Sequence, residues 1–287
     1  MALYRLHHST VYDYAEPVVI GTHFLHLLPR ERPGQVIKNA TLSVFPAPEN
    51  RRDEIDHFGN QTTSISLTTP HRQFSALLDA VVEVAYPPPP PAADTPAWEA
   101  IVAWGQVNPD VVEFCLPSRL TEPNEAIAAY AAASFSAGRP TLDAVLDLNT
   151  RLFYDMIYQA GVTNNLTTAS QVFESKTGVC QDYAHLMLAC LRAWGLPGRY
   201  VSGYLRTHPA PGQIKWRGAD QSHAWVSIWL GPAHGWVDFD PTNNLMVTDE
   251  HVTLAWGRDF GDVSPLRGII LGGGGHTLNV SVDLEAI

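Results

Sequence analysis

Lysine is scarce in this sequence of 287 residues, which contains only Lys38, Lys176 and Lys215. Lys and Arg together number 18 against 29 Asp and Glu, so the formal net charge is −11. Binding to nucleic acid requires clustered basic side chains that neutralise phosphates. The composition therefore argues against a nucleic-acid partner, and its acidic balance mildly favours neutral or basic substrates.

The sequence also lacks a long apolar run. No segment approaches the ~20 consecutive apolar residues that a helix needs to cross a bilayer, so we expect no membrane partner. The first residues, from Met1 to His8, lack the apolar region of a signal peptide. On these grounds we expect a cytoplasmic protein.

Cysteine is rare as well, and its spacing excludes two common structural uses. Cys115, Cys180 and Cys190 are an odd number with no C-x-x-C pair, which argues against a disulfide framework and a zinc knuckle. If the segment after Cys180 is helical, Cys180 and Cys190 lie ~15 Å apart along its axis. That separation is too large for a disulfide, so we expect at least one free thiol.

The N-terminal part of the chain alternates in the manner of β-strands. From Tyr4 to Tyr14 every second residue is mainly aromatic or apolar, and similar alternation occurs at residues 40–44, 65–67 and 74–86. Turn signals separate these segments, which predicts a β-sandwich-like domain over residues 1–90. The prolines 87–91 that follow favour a stiff polyproline II spacer, with the domain boundary there.

Residues 91–287 are predicted to form the second domain, which makes the fold class α+β. Its leading part, residues 95–160, has helical patterns, and a short helix is expected from Ala169. Strands are predicted after the second cysteine, at residues 199–205, 223–230 and 236–241, with a polar loop at 208–220 and a last alternating segment at 278–284. The glycines at 272–275 indicate a hairpin turn, because no helix follows them as a phosphate-binding loop would require.

The segment from Cys180 to Gly195 is central to the predicted chemistry. It has the pattern of an apolar helix that ends at Gly195, with Pro197 just beyond. Gly178 provides a flexible entry, which places Cys180 at or next to the first helical residue. There a thiol faces unpaired backbone N–H groups and the positive end of the helix dipole, which favours the nucleophilic thiolate. The alternative is a small apolar residue at the edge of the core.

A nucleophilic cysteine needs a base and a group that orients the base. His185 points about 140° away from Cys180 around the helix, so it is a poor candidate. His223 is the better one because it begins a strand and shares a face with Trp225, although a histidine satisfied within the core is the alternative. The next strand brings back Asp240, our first candidate for the orienting group, with Asp238 second and Asn243 third. A one-residue slip in register would exchange the faces, so the spacing alone leaves this choice open.

Four segments, residues 178–185, 195–204, 223–226 and 238–243, together resemble the transglutaminase-like core in order and spacing. The resemblance implies a papain-like fold, in which helices pack on an antiparallel sheet, and a Cys–His–Asp triad formed by Cys180, His223 and Asp240. Residues 8–14, 27–30 and 262–268 are similar to bacterial members that carry an N-terminal β domain before this core.

Further roles follow from geometry and from the same resemblance. The backbone N–H of Cys180 is the first candidate for stabilising an oxyanion. Tyr158 occupies roughly the place where the family supplies an aromatic donor, although it is equally compatible with a packing role. Gln181, Asp238 and Trp225 are predicted supporting residues.

The predicted activity is hydrolysis of amide or peptide bonds through a thioester on Cys180, with a peptide or amide-bearing substrate and no cofactor or metal. An amine acceptor would instead give transglutaminase cross-linking. Animal-type calcium dependence is not implied, because no EF-hand-like acidic loop is visible. Two other classes stay open: a metalloenzyme that uses His23 and His26, for which no third ligand is evident, and a catalytically idle peptide-binding module.

Overall fold

The computed structural model describes residues 1–208 and 220–287. Most of the polar loop predicted at residues 208–220 lies outside the described residues. Within these ranges, no helix is both long enough and apolar enough to span a membrane.

The secondary structure confirms the predicted α+β class. The strands are β1 (Ala2–Leu25), β2 (Gln35–Phe45), β3 (Asn50–Ile55), β4 (Gln61–Leu67), β5 (His71–Val84), β6 (Ile157–Tyr158), β7 (Thr177–Gly178), β8 (Gly198–Leu205), β9 (Gln221–Trp229), β10 (Trp236–Asp240), β11 (Leu245–Met246), β12 (His251–Gly257), β13 (Leu266–Gly272) and β14 (His276–Ala286). The helices are α1 (Trp98–Val107), α2 (Glu125–Ala132), α3 (Thr141–Asp155), α4 (Ala169–Ser175), α5 (Cys180–Ala193) and α6 (Phe260–Val263). Two 3-10 helices lie at Ala92–Asp94 and Val112–Cys115.

The first sheet is antiparallel and is organised around the long strand β1. In the described part of the chain it has seven strands, in the order β2-β5-β1-β4-β3, with β13 and β14 also paired to β1. The first half of β1 lies between β5 and β14, and its second half lies between β4 and β13. The sheet is therefore curled. Its core side carries the alternating residues that the sequence predicted, among them Tyr4, Leu6, His8 and Tyr14.

The last two strands of the predicted second domain, residues 91–287, extend the first sheet. β13 and β14 follow the second sheet in the chain, and together they pair with β1 over most of its length. Val282 and Leu284 of β14 are almost fully buried, so burial of apolar side chains drives this return. The predicted hairpin turn at residues 272–275 joins the two strands. The first sheet is thus completed by the C-terminal end of the chain.

The second sheet holds the predicted catalytic strands. Among the described residues it has five antiparallel strands in the order β11-β10-β9-β8-β12. Helix α5 packs on β8 and β9 through a continuous buried face from Tyr183 to Leu191. The helix ends as predicted: Gly195 has φ +73°, and Leu196 N–H donates to Leu191 O at 3.0 Å, which is a Schellman closure.

Two buried amide side chains join the first sheet to the edge strand β12. Gln35 donates to Thr253 O and accepts from Thr253 N–H, both at 2.7 Å. Asn60 makes the same two bonds with Trp256, each at 2.9 Å. A sheet edge otherwise exposes unpaired N–H and C=O groups. The two amides therefore satisfy the edge of β12 as a neighbouring strand would, and they fix the two sheets against each other.

Candidate active site

Cys180 is the first residue of α5, at the position that the sequence predicted. The carboxylate of Asp182 accepts a hydrogen bond from Val179 N–H at 2.7 Å, which fixes the chain just before the helix. Gly178 permits this arrangement, because a Cβ there would lie 2.6 Å from the Cβ of Asp182. Of the three cysteines, all free, Cys180 is the one that is not buried. Its sulfur is therefore at the helix N-terminus and open to a reactant.

His223 lies on β9, and Cys180 is one of the groups that raise the pKa of its imidazole. Its Nε2–H donates to Oδ2 of Asp240 at 2.7 Å. Because Nε2 is used in this way, Nδ1 is the ring nitrogen left for the sulfur. The imidazole is nearly buried, with 7% of its side chain exposed, and Asp240 is fully buried. The structure thus brings Cys180, His223 and Asp240 together.

The register of the β9–β10 hairpin explains why Asp240 rather than Asp238 contacts the histidine. Phe239 pairs with Val226 and Asp238 with Ser227. Continuing this register places Asp240 diagonal to His223, where two side chains on one face of a sheet can touch. Asp238 lies two residues further from His223 along β10.

The Asp240 carboxylate is held by several donors. Oδ2 also accepts from Asn243 Nδ2 at 2.7 Å and from His251 Nε2 at 3.3 Å. Oδ1 accepts from the backbone N–H groups of Thr242 and Asn243, at 3.0 and 3.2 Å. Asn243, the third candidate for orienting the histidine, contacts Asp240 instead. The turn that follows β10 therefore fixes the carboxylate and leaves it no freedom to rotate.

These contacts decide the protonation of the histidine–aspartate pair. Burial by itself would lower the pKa of His223, but the hydrogen bonds with Asp240 and Cys180 outweigh it and raise the pKa to about 10. Burial would raise the pKa of Asp240, yet the hydrogen bonds from His223 and His251 hold it well below its usual range. The pair is therefore an imidazolium and a carboxylate at neutral pH.

Asp238 and Trp225 occupy a neighbouring network. Asp238 Oδ2 forms an ion pair with Arg32 Nη1 at 2.5 Å and accepts from Trp225 Nε1 at 3.1 Å. The fully buried Trp225 ring packs beside His223, with ring centroids 6.2 Å apart. Burial opposes the charge of Asp238, but Arg32 outweighs it and lowers the pKa of this carboxyl. Asp238 thus ties the catalytic sheet to the loop before β2, at a point where it does not contact the imidazole.

The two other predicted supporting residues lie close to the sulfur. Tyr158 pairs with Gly178 in the short β6–β7 ladder and is 52% exposed. Burial and the nearby Cys180 raise the pKa of its phenol, which places that hydroxyl within electrostatic reach of the thiol. Gln181 follows Cys180 in the first turn of α5 and is half-buried. Their roles stay predictions.

His185 is turned away from Cys180, as its helical position predicted. It is fully buried, and its Nε2 accepts a hydrogen bond from Phe260 N–H at 3.1 Å, so its partner lies in α6 rather than within its own helix. Burial, only partly offset by Asp259, lowers the pKa of His185 to about 4. The ring is therefore neutral and structural.

The histidines considered as alternative metal ligands, His23 and His26, belong to no cluster of possible ligands in the described residues. His23 stacks on Phe74 with ring centroids 4.2 Å apart, and His26 contacts Ser264 O at 3.2 Å and Asp56 at 3.3 Å. In residues 1–208 and 220–287, one His/Cys/Asp/Glu cluster has geometry suitable for a metal, with His223, Asp240 and His251 ligand atoms within 4.8 Å of one another. Both rings already direct Nε2 at the same carboxylate oxygen, so the cluster is best described as hydrogen-bonded.

Sequence reasoning missed His251. The ring is 1% exposed, and its Nδ1 accepts from Thr248 N–H at 3.4 Å, so the proton is on Nε2 and points at Asp240. Trp225 packs edge-on against it, with centroids 5.2 Å apart. His251 begins β12, which lies three places from β10 in the sheet order. No local pattern marks this contact.

The matches to known families agree with this geometry. Residues 4–83 match the bacterial transglutaminase-like N-terminal region, and residues 128–241 match the transglutaminase-like superfamily. An uncharacterized protein of Mycobacterium tuberculosis is 38% identical over 288 residues, covering 98% of this chain and 92% of the relative. A relative from Mycobacterium leprae is 32% identical over 284 residues, covering 99% of this chain and 98% of its own. The chain therefore belongs to the transglutaminase-like superfamily.

Two further proteins bear on fold and chemistry. The structure named "Putative Cysteine Protease from Cytophaga hutchinsonii" superposes with a TM-score of 0.76 at 22% identity, covering 100% of this chain and 91% of that one. This likeness confirms the fold. The Protein-glutamine gamma-glutamyltransferase of Pseudomonas aeruginosa is 40% identical over 73 residues, which are 25% of this chain and 11% of that enzyme.

Proposed function

We propose that this protein is a cysteine-dependent amide hydrolase. The single observation that carries the proposal is the combination of three groups: a partly exposed cysteine at a helix N-terminus, an imidazole whose pKa that cysteine helps to raise, and a buried carboxylate 2.7 Å from Nε2 of the imidazole. This is the order of groups that activates a thiol nucleophile and retains the proton needed by the leaving group. Family membership supports an enzyme of this kind.

The reaction begins with the Cys180 sulfur attacking the carbonyl carbon of the substrate amide. The C=O π electrons move to oxygen, and the S–C bond forms. His223 then gives its Nδ1 proton to the amide nitrogen, the C–N bond breaks, and the amine leaves from a thioester. Water attacks the thioester carbonyl as the neutral His223 takes a proton from it. The C=O bond then re-forms, the S–C bond breaks with its electron pair on sulfur, and the carboxylic acid departs, which restores the thiolate and the imidazolium.

Asp240 has the role of orienting the base in this scheme. Its bond to Nε2 keeps Nδ1 facing the sulfur and stabilises the imidazolium. The oxyanion is placed against the backbone N–H of Cys180, with the Tyr158 hydroxyl as a second donor. Trp225 packs beside the ring and contributes to the burial of the His223–Asp240 hydrogen bond.

A second candidate function is transfer of the acyl group to an amine. The named Pseudomonas aeruginosa enzyme is a glutamyltransferase, and its 73-residue match supports this option. The two reactions share the thioester and differ in the acceptor that resolves it. Hydrolysis is our first proposal because water needs no further binding site.

The test is to incubate the protein with a mixed library of peptides and simple amides, with and without a primary amine, and to read the products by mass. Hydrolysis adds one water per cleaved peptide bond, or exchanges ammonia for water at a carboxamide; amine transfer adds the amine and releases ammonia. Cys180→Ala should abolish all products, whereas Cys115→Ala, a matched change at a thiol outside the site, should retain them. Products of equal yield from Cys180→Ala would overturn the proposal.

A further inference from the structure

A cavity of about 390 Å³ lies between the first sheet, the proline segment and the second sheet. Its lining includes Tyr86 and the prolines Pro87 to Pro90, together with Trp236, Met246 and Trp256. Arg32 and Arg199 provide its charged groups, together with Asp238. Cys180, His223 and Asp240 are not among the described residues that line it, so it is separate from the candidate active site.

Arg199 is held in an unusual way at the wall of this cavity. Its guanidinium lies 3.6 Å from the ring centroid of Trp236, 4.4 Å from that of Trp256 and 4.8 Å from that of Phe114. Among the described residues it has no hydrogen bond or ion pair, and its Nε is fully buried without a partner. The aromatic rings satisfy the faces of the guanidinium, but its Nε–H lacks the acceptor that a buried donor requires.

Asp238 and Glu113 attract this guanidinium, but the surrounding charges compensate it only in part. Arg30 and Arg32 also lie over the Trp256 ring, within 3.2 and 5.6 Å of its centroid. Asp238 is the one acid among the described lining residues, and it is already paired with Arg32. Burial first, and then repulsion from Arg30, lower the pKa of Arg199. The charged form of this side chain is therefore destabilised at this position. An anion in the cavity would offset that cost.

We propose that this cavity binds a small organic carboxylate, with the carboxylate on Arg199 and an aromatic or apolar body between the prolines and the tryptophans. Arginine presents a planar fork of donors that matches a carboxylate. A single negative charge is favoured because, of the two arginines among the described lining residues, Arg32 is paired with Asp238 and Arg199 has no such partner. The aromatic and proline side chains that line the cavity favour a ligand with an apolar body, because such a body buries apolar area against them and can stack on the aromatic rings.

The test compares N-acetyl-L-tryptophan with its carboxamide by isothermal titration calorimetry on the full chain. The acid should bind at least about tenfold more tightly than the amide, because the amide lacks the charge. Equal affinities, or no binding of the acid at about 5 mM, would overturn the proposal.

Variants locate the site. Arg199→Met retains an apolar stem between the rings and should lose at least about tenfold in affinity for the acid. Arg5→Gln, at an exposed arginine 3.6 Å from Glu285, should bind like the unmodified protein. Unchanged affinity in a folded Arg199→Met, judged by circular dichroism, contradicts the proposal; should that variant not fold, the comparison of acid and amide decides alone.

The carboxylate could be that of a free small molecule or the C-terminus of a peptide. An acetylated pentapeptide that ends in tryptophan separates these sources. Binding equal to that of N-acetyl-L-tryptophan supports the site and assigns a peptide C-terminus to it, whereas weaker binding of the pentapeptide supports the site and assigns a free small molecule.

Discussion

The Nε2–H group of His223 donates to Oδ2 of Asp240 at 2.7 Å, and the Asp240 carboxylate is fully buried. Because the carboxylate is fixed by the turn after β10 and by His251, the imidazole is held through Nε2, which leaves Nδ1 available for the proposed proton transfer. Substitution of His223, Asp240 or His251 should therefore have a measurable effect on activity or stability.

Replacement by asparagine should affect a different property at each of two positions: kcat at Asp240 and stability at Asp238. Asp240→Asn should lower kcat by about 10²–10⁴-fold, because the imidazole loses its tautomer and charge partner. Asp238→Asn should retain most of kcat but lose about 3 kcal/mol of unfolding free energy, since it leaves the buried Arg32 unpaired. Kinetics and chemical denaturation of both variants measure this. A larger kcat loss in Asp238→Asn would mean that Asp240 is not the orienting group.

His251 is expected to be a positioning residue that acts through Asp240. His251→Phe keeps the ring beside Trp225 but removes the donor to Oδ2, so it should lower kcat about tenfold with KM unchanged and shift the basic limb of the pH–kcat profile. His57→Gln, at an exposed histidine paired with Glu113, is the matched control. A loss of stability with an unaltered pH profile would assign His251 a purely structural role.

The hydrogen bonds of Gln35 should contribute much of the free energy that holds the two sheets together. Gln35→Ala leaves the N–H and C=O of Thr253 without partners in a buried edge strand, and we expect a loss of about 3 kcal/mol. Gln73→Ala, which removes an exposed amide bonded to Asp13, should cost far less. Thermal unfolding compares the two. Equal small losses would show that the edge of β12 is satisfied in another way.

Stability should depend on pH through His223. Its pKa is raised in the folded protein from 6.5 to about 10, so its contribution to stability is complete below about pH 6.5 and is lost as pH rises toward 10. The melting temperature of the unmodified protein should therefore exceed that of His223→Gln most at pH 6, with the difference shrinking by pH 10. A difference that grows over this range would contradict the raised pKa.

The sequence predicted those parts of the fold and site that depend on local patterns. Helix α5, its closure at Gly195 and the entry of Cys180 follow from glycine positions and apolar periodicity. The alternation of β1 and β5 follows from burial of one face. Asp240 could be ranked before Asp238 because the strand after His223 brings it back toward the histidine and because its position matches the triad of the family.

Contacts set by the tertiary arrangement left no such pattern. β3 consists of exposed, mostly polar residues, so no alternation marks it. His251 reaches Asp240 only because β12 and the turn after β10 meet in space, and Gln35 and Asn60 pair with backbone about 200 residues further along the chain. β14 pairs with β1, so the two ends of the described chain lie side by side in one sheet. Short-range sequence patterns do not encode such a long-range pairing.

The central claim is that His223 makes the Cys180 sulfur a nucleophile at neutral pH. Iodoacetamide labelling of the native protein at pH 7, with the modified peptides read by mass spectrometry, measures this most directly, and the buried Cys115 and Cys190 serve as internal controls. We predict rapid alkylation of Cys180, no labelling of the two buried thiols, and slowing of at least about tenfold in a folded His223→Ala variant. Labelling of Cys180 that is equally slow with and without the His223 imidazole would contradict the account.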